Sequence, residues 1–164
     1  MNVLASGIMY RMITYFQGDV KRINHALKVY GFAKSIAEAE GVTGETLTII
    51  EASAILHDIG IKISEQKYNS SAGRYQEIEG PPIAESLLRE LGIKDNIIDR
   101  VGYLIGNHHT YSKIEGVDFQ ILVEADFLVN IFEDNMTKEQ IISINKKYFK
   151  TPVGQAYLNS MYLA

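Results

Sequence analysis

Apolar residues recur at intervals of three and four along nearly the whole chain, and no stretch of useful length alternates apolar with polar residues. The first pattern lines one face of a helix; the second, which a half-buried strand needs, is missing. The sequence therefore predicts an all-α fold. At 164 residues the length fits one domain, and a domain of this size buries roughly 70% of the surface its unfolded chain exposes.

The helices can be placed from their stripes and breakers. Over 20–40, Ile23, Leu27, Tyr30 and Ala37 form one stripe and Val29, Phe32 and Ile36 an adjoining one, with Gly41 as the stop. A second helix is expected over about 45–59. Its stretch Ala52, Ala54, Ile55, Leu56 is apolar nearly all round, which marks a buried central helix, and Gly60 ends it. Residues 62–80 (KISEQKYNSSAGRYQEIEG) are polar and read as a long loop. Pro81 and Pro82 then open a helix with Ile83, Leu87, Leu88 and Leu91 on its core face and Gly92 behind it. Asp95 is the expected N-cap of the next helix, which carries Ile97, Val101 and Leu104 beside Ile98 and Ile105. After a loop at 110–116 come a strongly apolar helix over 118–134 and shorter ones near 138–148 and 153–163.

Composition excludes several classes of function. Sixteen basic residues stand against twenty acidic ones, a net charge of −4. So acidic a chain is a poor general ligand for a nucleic acid polymer or an anionic membrane. No apolar run approaches the roughly 18 residues of a membrane span. The N-terminal MNVLASGIMYRMITYF is interrupted by Arg11 and has no basic region before its apolar part, so it reads as a packed helix or arm, not a signal peptide. Cysteine is absent, which removes disulfide and thiolate chemistry. The expectation is a soluble, cytoplasmic protein.

The chemistry concentrates in four histidines and two aspartates. His25 lies one turn before Val29, Phe32 and Ile36; His57 and Asp58 follow the run 52–56; His108 and His109 continue the stripes of Ile97 and Ile98; Asp126 sits inside ILVEADFLVNI. Each histidine can be placed on a helix beside an apolar stripe. A buried carboxylate needs a partner or a metal. Lys62 is the one basic residue within a turn of Asp58, and none lies near Asp126, which leaves the histidines or a cation they share. Imidazole with carboxylate suits Fe, Mn, Zn, Co or Ni better than Ca. The bland alternatives are histidines that only favour helix ends and an Asp126 that joins Asn130 and Glu133 in a solvated stripe. Spacing alone does not bring these helices together.

The strings INHALKVYGFAKSIAEAEG, EASAILHDIG, IIDRVGYLIGNHH and ILVEADFLVNI, in this order, resemble the HD-domain metal-dependent phosphohydrolase superfamily over about residues 20–133. The resemblance implies a phosphodiesterase-like helical bundle with the metal between its helices. Residues 1–164 would form a single such domain, with arm 1–19 and C-terminal helices 135–164 packed on the motif-bearing core. It assigns His25, His57, Asp58 and Asp126 as ligands of one divalent metal, with His108 and His109 either holding a second or binding phosphate as imidazolium. Relatives with two metals carry a further histidine, three residues and a glycine ahead of the helix at Pro81; here that position is Gln76, before Gly80. Some relatives carry lysine directly after HDIG, where it contacts phosphate; here Lys62 stands one position later.

The implied function is hydrolysis of a phosphate ester of a nucleotide or other small phosphorylated metabolite by metal-activated water. The alternatives are a phosphodiesterase acting on a cyclic or dinucleotide substrate, or a catalytically degenerate nucleotide-binding module. Asp58, Lys62 and His108 are the expected catalytic residues. Lys62, Arg74, Gln76, Glu79 and Tyr111 are the expected substrate contacts, with Lys67, Tyr68 and Tyr75 in the same loop; cations there neutralise phosphate and an aromatic ring stacks on a base. The apolar arm 1–16 and the tail with Tyr148, Tyr157 and Tyr162 cover either the chain's own core or that of a second copy in a homodimer.

Overall fold

The structure, a computed structural model, describes residues 3–164, the Val3 side chain excepted. Among the described residues there are nine α-helices and no strand: α1 (Val3–Phe16), α2 (Val20–Ala39), α3 (Gly44–Leu56), α4 (Ile61–Tyr68), α5 (Gly73–Glu90), α6 (Asp95–Ile105), α7 (Gly116–Glu133), α8 (Lys138–Tyr148) and α9 (Pro152–Tyr162). The all-α expectation is borne out. None of these helices is long and apolar enough to cross a membrane. The first two residues of the expected N-terminal arm lie outside the described residues; the rest is α1, which buries Ala5, Ile8, Met12 and Phe16, and the short link to α2.

The two most extensive helix contacts join α2 to α3 and α2 to α7. The middle of this trio is dry because its sequences leave no polar face. In α3 every residue from 49 to 56 is buried, and in α7 every residue from 121 to 129 is. Each Ile, Leu, Val or Phe sealed in this way contributes about 1.5–3 kcal/mol. In α2 the deepest face is His25, Ala26, Val29, Ala33, Ile36 and Ala37, while Ile23, Leu27, Tyr30 and Phe32 are only half-buried around it. The predicted face of α6 is fully buried. α6 pairs with α5 and backs onto α3, and α1 covers α3 from the N-terminal side.

Four local expectations are overturned. The segment 62–80 is a helical hairpin rather than a loop: α4 is followed by a short link and the first turns of α5. Its polarity reflects exposure, since Ser64 alone is buried in α4. Asn69, at φ +51°, closes α4 in the left-handed conformation that asparagine tolerates. Pro81 and Pro82 lie inside α5 and do not begin it; the helix runs on through them although each ring removes one N–H donor from its ladder. Gly60 is the N-cap of α4, whereas α3 already stops at Leu56. Its role is contact: a Cβ there would meet the Gly80 nitrogen at 2.6 Å and the Gln76 carbonyl oxygen at 2.8 Å. Finally, Lys94 is the N-cap of α6, and Asp95, in the first turn, accepts a 2.7 Å bond from Arg89 Nη1.

Further on, the expected ends of α7, α8 and α9 agree with the structure within about two residues. Thr137 and Gln140 open α8 with a reciprocal capping box. The buried Glu124 of α7 holds the α8–α9 connection: Oε2 accepts from the Lys150 and Thr151 N–H groups, both at 3.0 Å, and Oε1 from Thr151 Oγ1 at 2.6 Å. This carboxylate stands two residues before Asp126, so the anchor of the C-terminal pair and the candidate site share one helical turn. Glu124→Leu is expected to leave these donors without acceptors and to cost about 2–5 kcal/mol. A urea midpoint unchanged from wild type would show that the connection is held otherwise.

Candidate metal centre

His25 is the one histidine inside a helix, in the middle of the buried face of α2. His57 is the C-cap of α3, and His108 lies in the turn after α6. The two rings are held in the same way. Each turns back so that Nδ1 donates to the carbonyl three residues earlier, His57 to Ala54 and His108 to Ile105, both at 2.7 Å. The expected helical placement of His57 and His108 is thus corrected by one turn: helix ends free the carbonyls that orient the rings. His25 instead directs Nδ1 to Glu133 Oε2 at 3.0 Å.

A carbonyl oxygen can only accept, so Nδ1 of His57 and of His108 carries the proton, and in the neutral ring Nε2 is a bare lone pair. Those Nε2 atoms converge. His25 Nε2 and His57 Nε2 are 3.1 Å apart. Asp126 Oδ1 lies 3.3 Å from each of them. Asp58 Oδ2 lies 3.3 Å from His25 Nε2 and 3.4 Å from His57 Nε2. The other oxygen of Asp58, Oδ1, is 3.4 Å from His108 Nε2.

Lone pairs and carboxylates packed this closely repel unless a cation stands among them. Burial alone would push Asp58 and Asp126 up, yet the surrounding imidazoles hold both well below the usual carboxylate range. Burial opposes charge on His57 and His25, and the same carboxylates nevertheless lift both. The cluster thus demands positive charge, which protons or a metal can supply. Two observations favour a metal. Buried His108 Nε2 and Asp126 Oδ1 make no hydrogen bond. The separations also match the edges of a coordination sphere, about 3.0–3.4 Å for ligands about 2.1 Å from an ion. His25, His57 and Asp58 bring ligand atoms within 4.8 Å of one another, and so do Asp58, His108 and His109. Asp58 belongs to both groups.

His109 packs against Gly73, where a Cβ would come within 2.8 Å of the ring. Burial and the neighbouring His108 push it down to about 4, so it is neutral at neutral pH. Gln76 is buried beside it, with Oε1 3.4 Å from His109 Nε2 and its amide nitrogen on the Ser71 carbonyl at 2.6 Å. Glu77 accepts from the His109 N–H at 3.2 Å and from Thr110 Oγ1 at 2.9 Å. Tyr111 packs on Phe127 and Tyr148, and burial followed by nearby Asp126 pushes its hydroxyl up to about 12.

The other expected contacts are engaged elsewhere. Lys62 Nζ rests over the Tyr15 ring at 5.2 Å and donates to the Tyr15 carbonyl at 3.4 Å. Arg74 donates to the Tyr75 hydroxyl at 2.7 Å. Tyr68 and Tyr75 stack on each other, with centroids 4.1 Å apart. Glu79 accepts from Lys67 Nζ and from the Tyr68 hydroxyl, both at 2.9 Å. Asp126 is buried, unlike the solvated stripe considered from sequence. Sequence reasoning missed Glu133 as the partner of His25. The signal was its position seven residues after Asp126, two turns along the same face of α7.

Binding of a divalent ion to this cluster must stabilise the folded state. Mn²⁺ at about 100 times its dissociation constant is expected to add about 2.7 kcal/mol and to raise Tm by roughly 5–10 °C. Asp126→Ala should lose most of that increment; an equal shift in the variant would place the ion elsewhere.

The HD domain family model matches residues 22–150. No curated protein matches the chain in sequence. Among solved structures, it is similar to a predicted HD superfamily hydrolase from an uncultured Thermotogales bacterium, with TM-score 0.66 and 19% identity over 99% of this chain and 85% of the other. The family match covers most of the chain and includes every residue of the cluster, so this protein belongs to the HD domain family.

Proposed function

We propose that the protein is a metal-dependent phosphohydrolase acting on a nucleotide or another small phosphorylated metabolite. The observation that carries this reading is the convergence of three imidazole nitrogens, with Nδ1 of each engaged behind it, on the carboxylates of Asp58 and Asp126. His25, His57, Asp58 and Asp126 would hold a divalent ion of the Fe, Mn, Co, Ni or Zn type. Such an ion supplies Lewis acidity toward a phosphoryl oxygen and acidifies a water molecule.

The protein's own residues divide the remaining work. Asp58 is the most exposed member of the set, with 20% of its side chain open against 0–10% for His25, His57, His108 and Asp126. Substrate would therefore enter on the Asp58 side. His109, neutral because of burial, suits ligation better than clamping phosphate as a cation. The phenol of Tyr111 stays protonated at neutral pH and can donate a hydrogen bond. In the α4–α5 hairpin, exposed Lys62 and Arg74 are held by aromatic rings and carbonyl or hydroxyl groups, without a carboxylate partner among these contacts. None of these contacts is an ion pair, so both side chains can turn to a phosphate at small cost. Gln76 and Glu79 would border the same entrance.

One observation favours the phosphodiesterase alternative. Asp58 directs Oδ2 at His25 and His57 and Oδ1 at His108, the disposition of a carboxylate shared by two ions. The number of ions per chain separates the two readings.

Protein reconstituted with Mn²⁺ or Co²⁺ is expected to release phosphate from nucleoside monophosphates, and Asp58→Ala to fall to background with its helical circular dichroism intact. Full activity in that variant would overturn the reading. Turnover of a cyclic dinucleotide instead, with two ions per chain, would establish the alternative. Arg74→Ala should raise KM several-fold and lower kcat less; an unchanged KM would remove Arg74 from the substrate path.

A further inference from the structure

We propose that Glu133, steadied by Lys28, is a positioning residue that orients His25 toward the metal. The inference rests on the metal-centre reading above and concerns a residue outside the ligand set.

The three converging histidines do not solve the orientation problem in the same way. His57 and His108 close helical segments, where a main-chain carbonyl three residues back receives Nδ1–H. Those partners are backbone and cannot be substituted away. His25 sits mid-helix, and the carbonyls beneath it are occupied by the hydrogen bonds of α2. Its Nδ1 must find an acceptor on another element, and it finds Glu133 Oε2 at 3.0 Å.

Glu133 is itself held in place. Its other oxygen, Oε1, lies 2.7 Å from Lys28 Nζ. Lys28 stands one turn after His25 on α2, so both contacts come from a single helix face. The carboxylate therefore spans two donors, one on each oxygen, and this restricts rotation about its side chain. Exposure falls along the relay from 48% at Lys28 to 21% at Glu133 and 9% at His25. An isolated surface pair of this kind contributes little. Here its inner end is a nearly buried imidazole whose opposite nitrogen lies 3.3 Å from two carboxylates.

The arrangement also explains why one helix supplies both functions. Asp126 and Glu133 are seven residues apart on α7, so they lie on the same face two turns apart. Asp126 reaches His25 Nε2 and Glu133 reaches His25 Nδ1. The imidazole is gripped from both ends by α7. A carboxylate on the far nitrogen of a ligating histidine fixes the tautomer and raises the basicity of the ligating atom, and loss of such a partner typically costs 10–100-fold in metal affinity.

The test is titration of the metal-free full chain with Co²⁺ against a competing chelator, following the visible d–d bands. Wild type, Glu133→Gln, Glu133→Ala, Lys28→Met and, as a ligand control, Asp126→Ala are compared. Glu133→Ala is expected to weaken Co²⁺ by 10–100-fold and to alter the band pattern. Glu133→Gln keeps an acceptor oxygen without the charge and should recover part of the loss. Lys28→Met should cost a few-fold. If Glu133→Ala does not fold, Glu133→Gln and Lys28→Met carry the comparison. Affinity and bands unchanged in the variants, with Co²⁺ still lost in Asp126→Ala, would overturn the positioning role while the metal centre stands. A lower thermal midpoint with unchanged affinity would overturn it too, by making Glu133 merely structural. Failure of wild type to bind Co²⁺ would instead overturn the metal centre, and this proposal with it.

Discussion

Asp58 and Asp126 lie against the apolar heart of the bundle, and their negative charge must be matched where water is scarce. Asp126 stands on α7, and three other elements are arranged so that imidazoles do the matching. α2 contributes His25 from its buried face, the end of α3 contributes His57, and the turn after α6 contributes His108. If the neutral rings are left with lone pairs facing carboxylates, the cluster repels itself. It becomes stable with bound positive charge, so the fold and the affinity of the cluster for cations are two sides of one electrostatic condition.

The surrounding structure is built to keep that cluster rigid. Helix ends supply fixed carbonyls for two rings, and the Lys28–Glu133 pair supplies a carboxylate for the third. Gly60 and Gly80 let the turn carrying His57 and Asp58 press directly on α5. α5 in turn carries Gln76 and Glu77, which border His109. On the far side, Glu124 pins the C-terminal helices to α7 near Asp126. Backbone contacts and buried hydrogen bonds, which tolerate little displacement, thus converge on the same few residues.

The α4–α5 hairpin contrasts with this rigid half. Its outer face is exposed, and Lys67, Tyr68, Arg74 and Tyr75 find partners within the hairpin, while α5 packs on α6 behind it. The hairpin's side chains can exchange partners at small cost, as the proposed entry of substrate on this side requires. The reading of 62–80 as a loop failed for a physical reason. Hydrophobic periodicity reports burial, and an exposed helix has little of it to show. Pro81 and Pro82 misled in the same region, since proline is strongly disfavoured inside a helix unless tertiary packing holds the segment.

Much of the protein was legible before its structure. The three- and four-residue spacing of apolar residues determined an all-helical fold, because a helix must bury its stripe. The order of His25, His57-Asp58, His108-His109 and Asp126, each beside such a stripe, identified the groups that would need one another. Three things were decided only by tertiary structure. Convergence of the Nε2 atoms depends on how helices far apart in sequence cross. The proton position on His25 depends on a carboxylate 108 residues away in sequence that stands behind the ring. The sharing of Asp58 between two histidine groups depends on the angle at which one short turn leaves α3. Periodicity can specify which residues are buried, but it carries no information about the distance between two buried faces.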